Sequence, residues 1–264
     1  MSEPLLTIHN IRKEFDGVVA LSDVSFDVPP HEILAVIGPN GAGKTTLLNL
    51  TTGVLPPTGG QITFRGHRIG GRPAHRIAAL GIARTFQSIQ LFGQMTALEN
   101  VMVGRHLTGR AGFLAAALRL PWAAREERTL QEKALETLAL VGLADKADEP
   151  AGSLPLGQQR LLELARALAA EPALLLLDEP AAGLNTRETE QLGALIVSLR
   201  EALNLTLALV EHDKSLVMGI SHRIVVLDHG AKIAEGAPRE VQSNPEVIAA
   251  YLGQEPDARP PDEP

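Results

Sequence analysis

Apolar and polar positions divide the chain into three kinds of segment. Residues 33–37 (Ile-Leu-Ala-Val-Ile) and 173–177 (Ala-Leu-Leu-Leu-Leu) are short runs without a polar residue. Runs of this length and character are expected of strands buried on both faces of a parallel sheet. Residues 205–210 and 224–227 are of the same type, and each ends in polar residues: Glu211-His212 and Asp228-His229-Gly230. The stretches Val24-Ser25-Phe26-Asp27-Val28 and Gln61-Ile62-Thr63-Phe64-Arg65 alternate instead, as strands with one wet face do. They predict a small antiparallel sheet beside the buried one.

From about residue 89 the character becomes helical. Leu130, Ala134, Leu138 and Val141 recur at spacings of four, four and three, with Arg125, Glu126, Glu127, Arg128, Glu132, Lys133 and Glu136 on the remaining face. That spacing predicts an amphipathic helix. The segments around it, residues 109–112 and Leu120-Pro121, read as connections. The whole pattern predicts an α/β fold with a helical subdomain, from Ile89 to about Gly152, inserted into the core. Residues 254–264 are rich in Pro, Asp and Glu and read as a disordered tail.

One loop carries chemistry. Gly38-Pro39-Asn40-Gly41-Ala42-Gly43-Lys44-Thr45 fits the P-loop pattern Gly-x-x-x-x-Gly-Lys-Thr. It follows the apolar run 33–37 and precedes the helix-compatible Thr46-Leu47-Leu48-Asn49-Leu50. Strand, glycine loop and helix are the context the motif needs. Glycines let backbone N–H groups approach phosphate oxygens, and the helix points its positive end at the same anion. Lys44 is expected at the β- and γ-phosphates of ATP, and the Thr45 hydroxyl on Mg²⁺.

The run 173–177 leads into Asp178-Glu179. An acidic pair at a strand end is often merely solvated. Downstream of a P-loop it predicts Asp178 as a Mg²⁺ ligand, directly or through water, and Glu179 as the group that polarises the attacking water. His212 ends the next apolar run and could approach the γ-phosphate beside Glu179. Gln87 could ligate Mg²⁺ or orient that water. Phe15 is open to two readings: one more core aromatic, which the sequence by itself favours, or a ring that stacks on adenine.

Composition trims the alternatives. The formal net charge of −7 argues against a broad grip on nucleic acid or anionic lipid. There are no cysteines, which removes disulfide and thiolate chemistry and suits the cytosol. Residues 1–4 lack the basic-then-apolar plan of a signal peptide, and no apolar run approaches the ~18 residues a bilayer span requires. Any membrane role is expected to come through a partner protein.

The order P-loop, Gln87, Leu154-Pro155-Leu156-Gly157-Gln158, residues 174–179 and His212 resembles the nucleotide-binding subunit of ATP-binding cassette (ABC) transporters. The likeness spans nearly the whole chain, residues 5–253. It implies a P-loop NTPase with a RecA-like core, an antiparallel β subdomain and a helical subdomain. By the same resemblance Phe15 stacks on adenine, Gln87 belongs to the Q-loop and His212 is the switch histidine. Residues 181–185 are then the loop that crosses a dimer interface, and residues 154–158 are the signature acting in trans. That signature is usually Leu-Ser-Gly-Gly-Gln. Here Pro155 replaces the serine, which removes one hydroxyl but leaves the N–H groups of Leu156 and Gly157 and the helix that follows. A weaker or differently tuned sandwich of two subunits is expected.

Residues 178–185 and the ending Asn244-Pro245-Glu246-Val247-Ile248-Ala249-Ala250-Tyr251-Leu252-Gly253 are similar to the branched-chain amino-acid importers, as is Thr85-Phe86-Gln87-Ser88-Ile89-Gln90-Leu91-Phe92. Of their two ATPase subunits the chain resembles the longer, with extra residues near 104–122 and a family-specific segment at about residues 236–253. The resemblance implies ATP and Mg²⁺ as cofactors. It further implies a second ATPase subunit (identical or a sister), two membrane permeases, a separate solute-binding protein, and a place on the cytoplasmic face of the inner membrane. A groove near residues 86–92 is expected to reach the permeases, with Leu91 and Phe92 open to two readings: contact with a permease helix, or packing between subdomains. Urea and amide importers share much of the pattern. A soluble ABC ATPase acting on ribosomes or DNA, and a P-loop kinase for a small molecule, are the rival classes.

Overall fold

A computed structural model describes residues 3–105 and 121–252, with the side chains of 121–126 and 252 left aside. The connections expected at 109–112 and Leu120, most of the extra segment near 104–122, and the tail 254–264 lie outside the described residues.

Among the described residues ten strands form two sheets. The larger has six strands in the order β10-β9-β3-β8-β7-β6. Its members are β3 (Ile33–Ile37), β6 (Ile82–Arg84), β7 (Leu174–Asp178), β8 (Thr206–Val210), β9 (Arg223–Asp228) and β10 (Ala231–Gly236). All neighbours are parallel except the β9–β10 hairpin. Every residue of β3, β7 and β8 is buried, as unbroken apolar runs require of strands covered on both faces. Alternate side chains feed two cores: Ile33, Ala35, Ile37, Leu175 and Leu177 on one face, Leu34, Val36, Leu174 and Leu176 on the other.

The smaller sheet, β2-β1-β4-β5, is antiparallel. It comprises β1 (Leu6–Phe15), β2 (Val18–Val28), β4 (Gly59–Phe64) and β5 (His67–Arg68). Its alternating strands turn Val24, Phe26, Val28, Ile62 and Phe64 into the second core and leave Asp27 and Gln61 in solvent. Helix α1 (Lys44–Thr51) packs Leu47, Leu48 and Leu50 into the same core.

The first core is closed by helices. They are α3 (Ala97–Gly104), α4 (Pro121–Leu140), α5 (Leu156–Leu168), α6 (Thr186–Leu203) and α7 (Lys214–Ile220), with short α2 (Ala74–Ala79) beside β6. Ala134 and Leu138 of α4 are fully buried, Val141 just beyond it nearly so, and Leu130 half-buried. The four-four-three spacing thus marks the buried face. Capping boxes start two of these helices: Thr96 with Glu99, and Asn185 with Glu188. The described residues end in α8 (Pro238–Gln242) and α9 (Pro245–Leu252). No described helix is long and apolar enough to cross a membrane.

Candidate nucleotide-hydrolysis site

The loop 38–43 joins the carboxyl end of β3 to α1. Gly38 and Gly43 are compelled by space as well as by conformation. A Cβ on Gly38 would lie 2.0 Å from the Leu227 carbonyl oxygen, and one on Gly43 would lie 2.7 Å from that of Ala20. Gly43 is also left-handed, at φ 99°, and caps α1 without a side-chain acceptor. The first-turn N–H groups of Lys44, Thr45 and Thr46 are therefore offered to an anion. Lys44 is buried, and its Nζ donates to the carbonyl oxygens of Gly38 at 2.7 Å and Pro39 at 2.9 Å. Burial pulls the Lys44 pKa below that of an ordinary lysine, against the opposing pull of Glu179 and Asp178.

The facing wall comes from the ends of β7 and β8. Glu179 follows β7 with φ 48°, a left-handed conformation unusual for a residue with a side chain. Its carboxylate is held on both sides. Gln87 Nε2 donates to one oxygen at 2.8 Å, and His212 Nε2 lies 3.1 Å from the other. Gln87, Glu179, His212, Ala20 and residues 40–46 line a cleft of about 290 Å³. It opens at the carboxyl ends of parallel strands, where ligands bind in such sheets.

Asp178 lies behind this wall and is buried. Arg84 Nη2 donates to its Oδ2 at 2.7 Å, while buried Oδ1 has no hydrogen-bond partner among the described residues. Arg84 Nη1 also reaches Asn49 Oδ1 of α1 at 2.7 Å, so one guanidinium ties the P-loop helix to β7.

The structure thus brings together residues 40–46, Gln87, Glu179 and His212. Phe15 stands apart from the cleft wall. It ends β1 with 40% of its surface exposed and Lys13 Nζ 4.7 Å from its ring centroid, so the core placement that the sequence favoured is incorrect. The segment 154–158 does not line its own chain's cleft either. It opens α5, with Leu154 buried and Pro155 and Leu156 exposed. Pro155, Gly157 and Gln158 line a separate cavity of about 430 Å³ with Leu184 and Glu188.

Sequence reasoning missed Arg84, Arg160 and Glu163. Arg160 Nη2 donates to the Gln87 carbonyl at 2.9 Å and the Ala182 carbonyl at 3.4 Å, and Nη1 to Glu163 Oε2 at 3.2 Å. The other Glu163 oxygen accepts from the Gln90 N–H at 2.9 Å. Burial pushes the Glu163 carboxyl up even beside Arg160. The available signal was an Arg-Glu pair three residues apart on a helix that otherwise buries leucines.

A phosphate loop facing a strand-end glutamate bracketed by glutamine and histidine, on this two-sheet scaffold, defines a nucleotide-hydrolysing cassette. The chain belongs to the ABC transporter family, which it matches over residues 21–182, and residues 231–257 match the branched-chain amino acid ATP-binding cassette transporter family. It is an ATPase. It is 46% identical over 254 residues to the high-affinity branched-chain amino acid transport ATP-binding protein BraF of Pseudomonas aeruginosa, covering 96% of this chain and all of that one. The similarly named LivG of Escherichia coli is 44% identical over the same shares. Among solved structures, the ADP conformation of an ATP-binding cassette of an ABC transporter superposes with a TM-score of 0.83 at 32% identity, covering 96% of this chain and all of that one.

Proposed function

We infer that this chain is the ATP-hydrolysing subunit of a membrane importer for branched-chain or related hydrophobic amino acids. The observation that carries the hydrolytic role is the cleft itself, with Lys44 on one wall and Glu179, bridged by Gln87 and His212, on the other. The solute class is supported by relatives 44–46% identical over their full length and by the match at residues 231–257.

ATP enters with its phosphates on the N–H groups of residues 41–46. Lys44 exchanges its two carbonyl contacts for β- and γ-phosphate oxygens. Thr45, Gln87 and Asp178 offer side-chain oxygens that would hold a divalent cation: Arg84 occupies Oδ2 of Asp178, and buried Oδ1 is left without a hydrogen-bond partner among the described residues. A Mg²⁺ ion held by these residues would neutralise charge on the phosphates. Glu179 accepts the proton of the attacking water. Gln87 and His212 hold its carboxylate in place, and the His212 ring is near enough to reach the γ-phosphate. Phe15, exposed at the end of β1, is available to stack on adenine.

A second ATPase subunit supplies the other half of each site. Residues 154–158 of one subunit face the P-loop of the other, which accounts for the exposure of Pro155 and Leu156 and for the segment's absence from the lining of its own cleft. A sister ATPase is the preferred second subunit, by the likeness to the longer of two. The domain division proposed is one ATPase domain over residues 5–253, with the helical part at about 89–165 and the family-specific segment at about 236–253. Exposed Phe86 and Phe92 flank the surface on which a permease helix seats. Leu91, the other residue expected there, packs against the core instead. Attachment to the membrane's cytoplasmic face is through the permeases, and a separate binding protein delivers the solute.

The test is a pull-down of tagged Glu179→Gln protein from its own membranes in mild detergent with ATP and Mg²⁺. Two very hydrophobic proteins and a second ATPase are the expected company, and the matching binding protein is then screened for solutes. Ribosomes or nucleic acid in their place overturn the importer reading. Urea or an amide as the bound solute overturns the substrate class alone.

A further inference from the structure

Glu211 is buried, with 5% of its surface exposed, and it forms no ion pair with any described residue. A carboxylate without a cation in such a place is costly unless several donors satisfy it. Three backbone N–H groups do so. Oε1 accepts from Ala181 at 2.8 Å, and Oε2 accepts from His212 at 2.7 Å and Asp213 at 3.1 Å. Those donors belong to two different loops. Ala181 follows Glu179 beyond β7, and His212 and Asp213 follow β8.

The last backbone bond between these chain ends is the Glu179 N–H on the Val210 carbonyl, at 2.8 Å. Beyond it the Glu179–His212 side-chain contact joins the two segments, and no further backbone bond does among the described residues. Glu211 carries the connection further with its side chain. Asp213 in turn caps α7 through the Leu216 N–H at 2.9 Å, so the same carboxylate fixes the start of that helix.

We propose that Glu211 is a positioning residue that fastens the loop after Glu179 to the turn carrying His212, so that both groups flanking the γ-phosphate move as one unit. It touches no substrate. It acts through the backbone on which Glu179 and His212 are mounted, and it holds the beginning of the loop 181–185 in the same grip. The inference rests on the roles assigned above to Glu179 and His212.

Glu211→Gln keeps the length and shape of the side chain but turns an NH2 group against at least one N–H donor. The expected result is a fall in kcat for ATP hydrolysis of about tenfold or more with KM for ATP within about twofold, because the hydrogen bonds of Glu211 go to residues 181, 212 and 213 and none goes to the P-loop. By NMR the amides of Ala181, His212 and Asp213 should exchange about tenfold faster, while those of β1 keep their wild-type rates. Unchanged kcat in a folded variant overturns the proposal, even if Tm falls, and so does a parallel loss of kcat and ATP affinity. Should the variant not fold, wild-type exchange decides. Amides bound to one carboxylate open together, and an Ala181 rate independent of the His212 and Asp213 rates overturns the proposal. Wild-type protein that fails to hydrolyse ATP overturns the reading of the site instead, and the exchange rates still decide the role of Glu211.

Discussion

Arg84 Nη2 lies 2.7 Å from Asp178 Oδ2, and both side chains are almost sealed from water. The arginine ends β6 opposite Leu176 of β7, and its side chain reaches along the neighbouring strand to Asp178 two residues further on. Removing one member of a buried pair leaves an uncompensated charge, which costs about 3–5 kcal/mol. Arg84→Met also breaks the bond to Asn49 and so loosens α1 from the sheet. The expected outcome is a Tm lower by roughly 10 °C. A thermal melt in which Arg84→Met comes within ~2 °C of the wild type would show that the pair contributes little.

Lys44 gives the site a dependence on alkaline pH. Its pKa in the free protein is depressed below 10.5, first by burial. ATP binds the charged form. As pH rises through the depressed pKa the free protein loses that proton, binding must then restore it, and affinity falls. The fall begins at a lower pH than an ordinary lysine would give. Arginine keeps its charge throughout this range, so Lys44→Arg should bind ATP more weakly near neutrality but with a flat profile. Titration calorimetry from about pH 7.5 to about pH 10 compares the two. Parallel profiles would mean that Lys44 is not the titrating group.

Glu179 combines function with strain. Its φ of 48° places a residue with a Cβ where glycine is at ease, at a cost of about 1 kcal/mol. Glu179→Gln retains the strain and loses the base. Hydrolysis should slow by about 100-fold or more with ATP binding intact. Glu179→Gly loses the base and the strain together. The freedom glycine adds to the unfolded chain, about 0.5–1 kcal/mol, offsets most of the strain relieved, so it should melt within about 2 °C of Glu179→Gln. Hydrolysis by Glu179→Gln at the original rate would remove Glu179 from the role of base.

What was legible in the sequence follows from how each signal arises. β3, β7 and β8 are legible because burial on both faces forbids polar residues, and β2 because burial on one face imposes a period of two. The P-loop, Asp178 and Glu179 are legible because their chemistry requires fixed residue types beside such strands. Phe15 was not legible. β1 shifts register between Ile8 and Ile11 and again before Lys13 and Glu14, so counting alternate positions along it cannot tell which face a side chain takes. The polar ties were hidden for another reason. Arg84 meets Asp178 across 94 positions of chain, Arg160 meets Gln87 across 73, and Glu211 meets Ala181 across 30. Each is a single charged residue whose partner is a carbonyl, an N–H or one acid, and none of these leaves a pattern in the local sequence.

Pro155 is the departure from the family's usual signature that a substitution can interrogate. It caps α5 at φ −56° and ψ 153°, with no side-chain acceptor for the first-turn N–H groups. Serine adopts that backbone conformation without strain, and its hydroxyl can cap the helix. Gain from the cap, about 0.5–2 kcal/mol, is offset by the loss of proline's restraint on the unfolded chain, about 0.4–1 kcal/mol. Tm of Pro155→Ser should therefore move little. Association should move more. In the sandwich the hydroxyl gains a charged acceptor, the γ-phosphate on the opposite subunit, in a hydrogen bond worth about 1.5–3 kcal/mol. Pro155→Ser in a Glu179→Gln background should therefore tighten ATP-driven dimerisation by about tenfold per engaged site, read by light scattering across a protein dilution series. Equal dissociation constants for the two forms would show that the N–H groups of Leu156 and Gly157, with the end of α5, already provide what the phosphate needs.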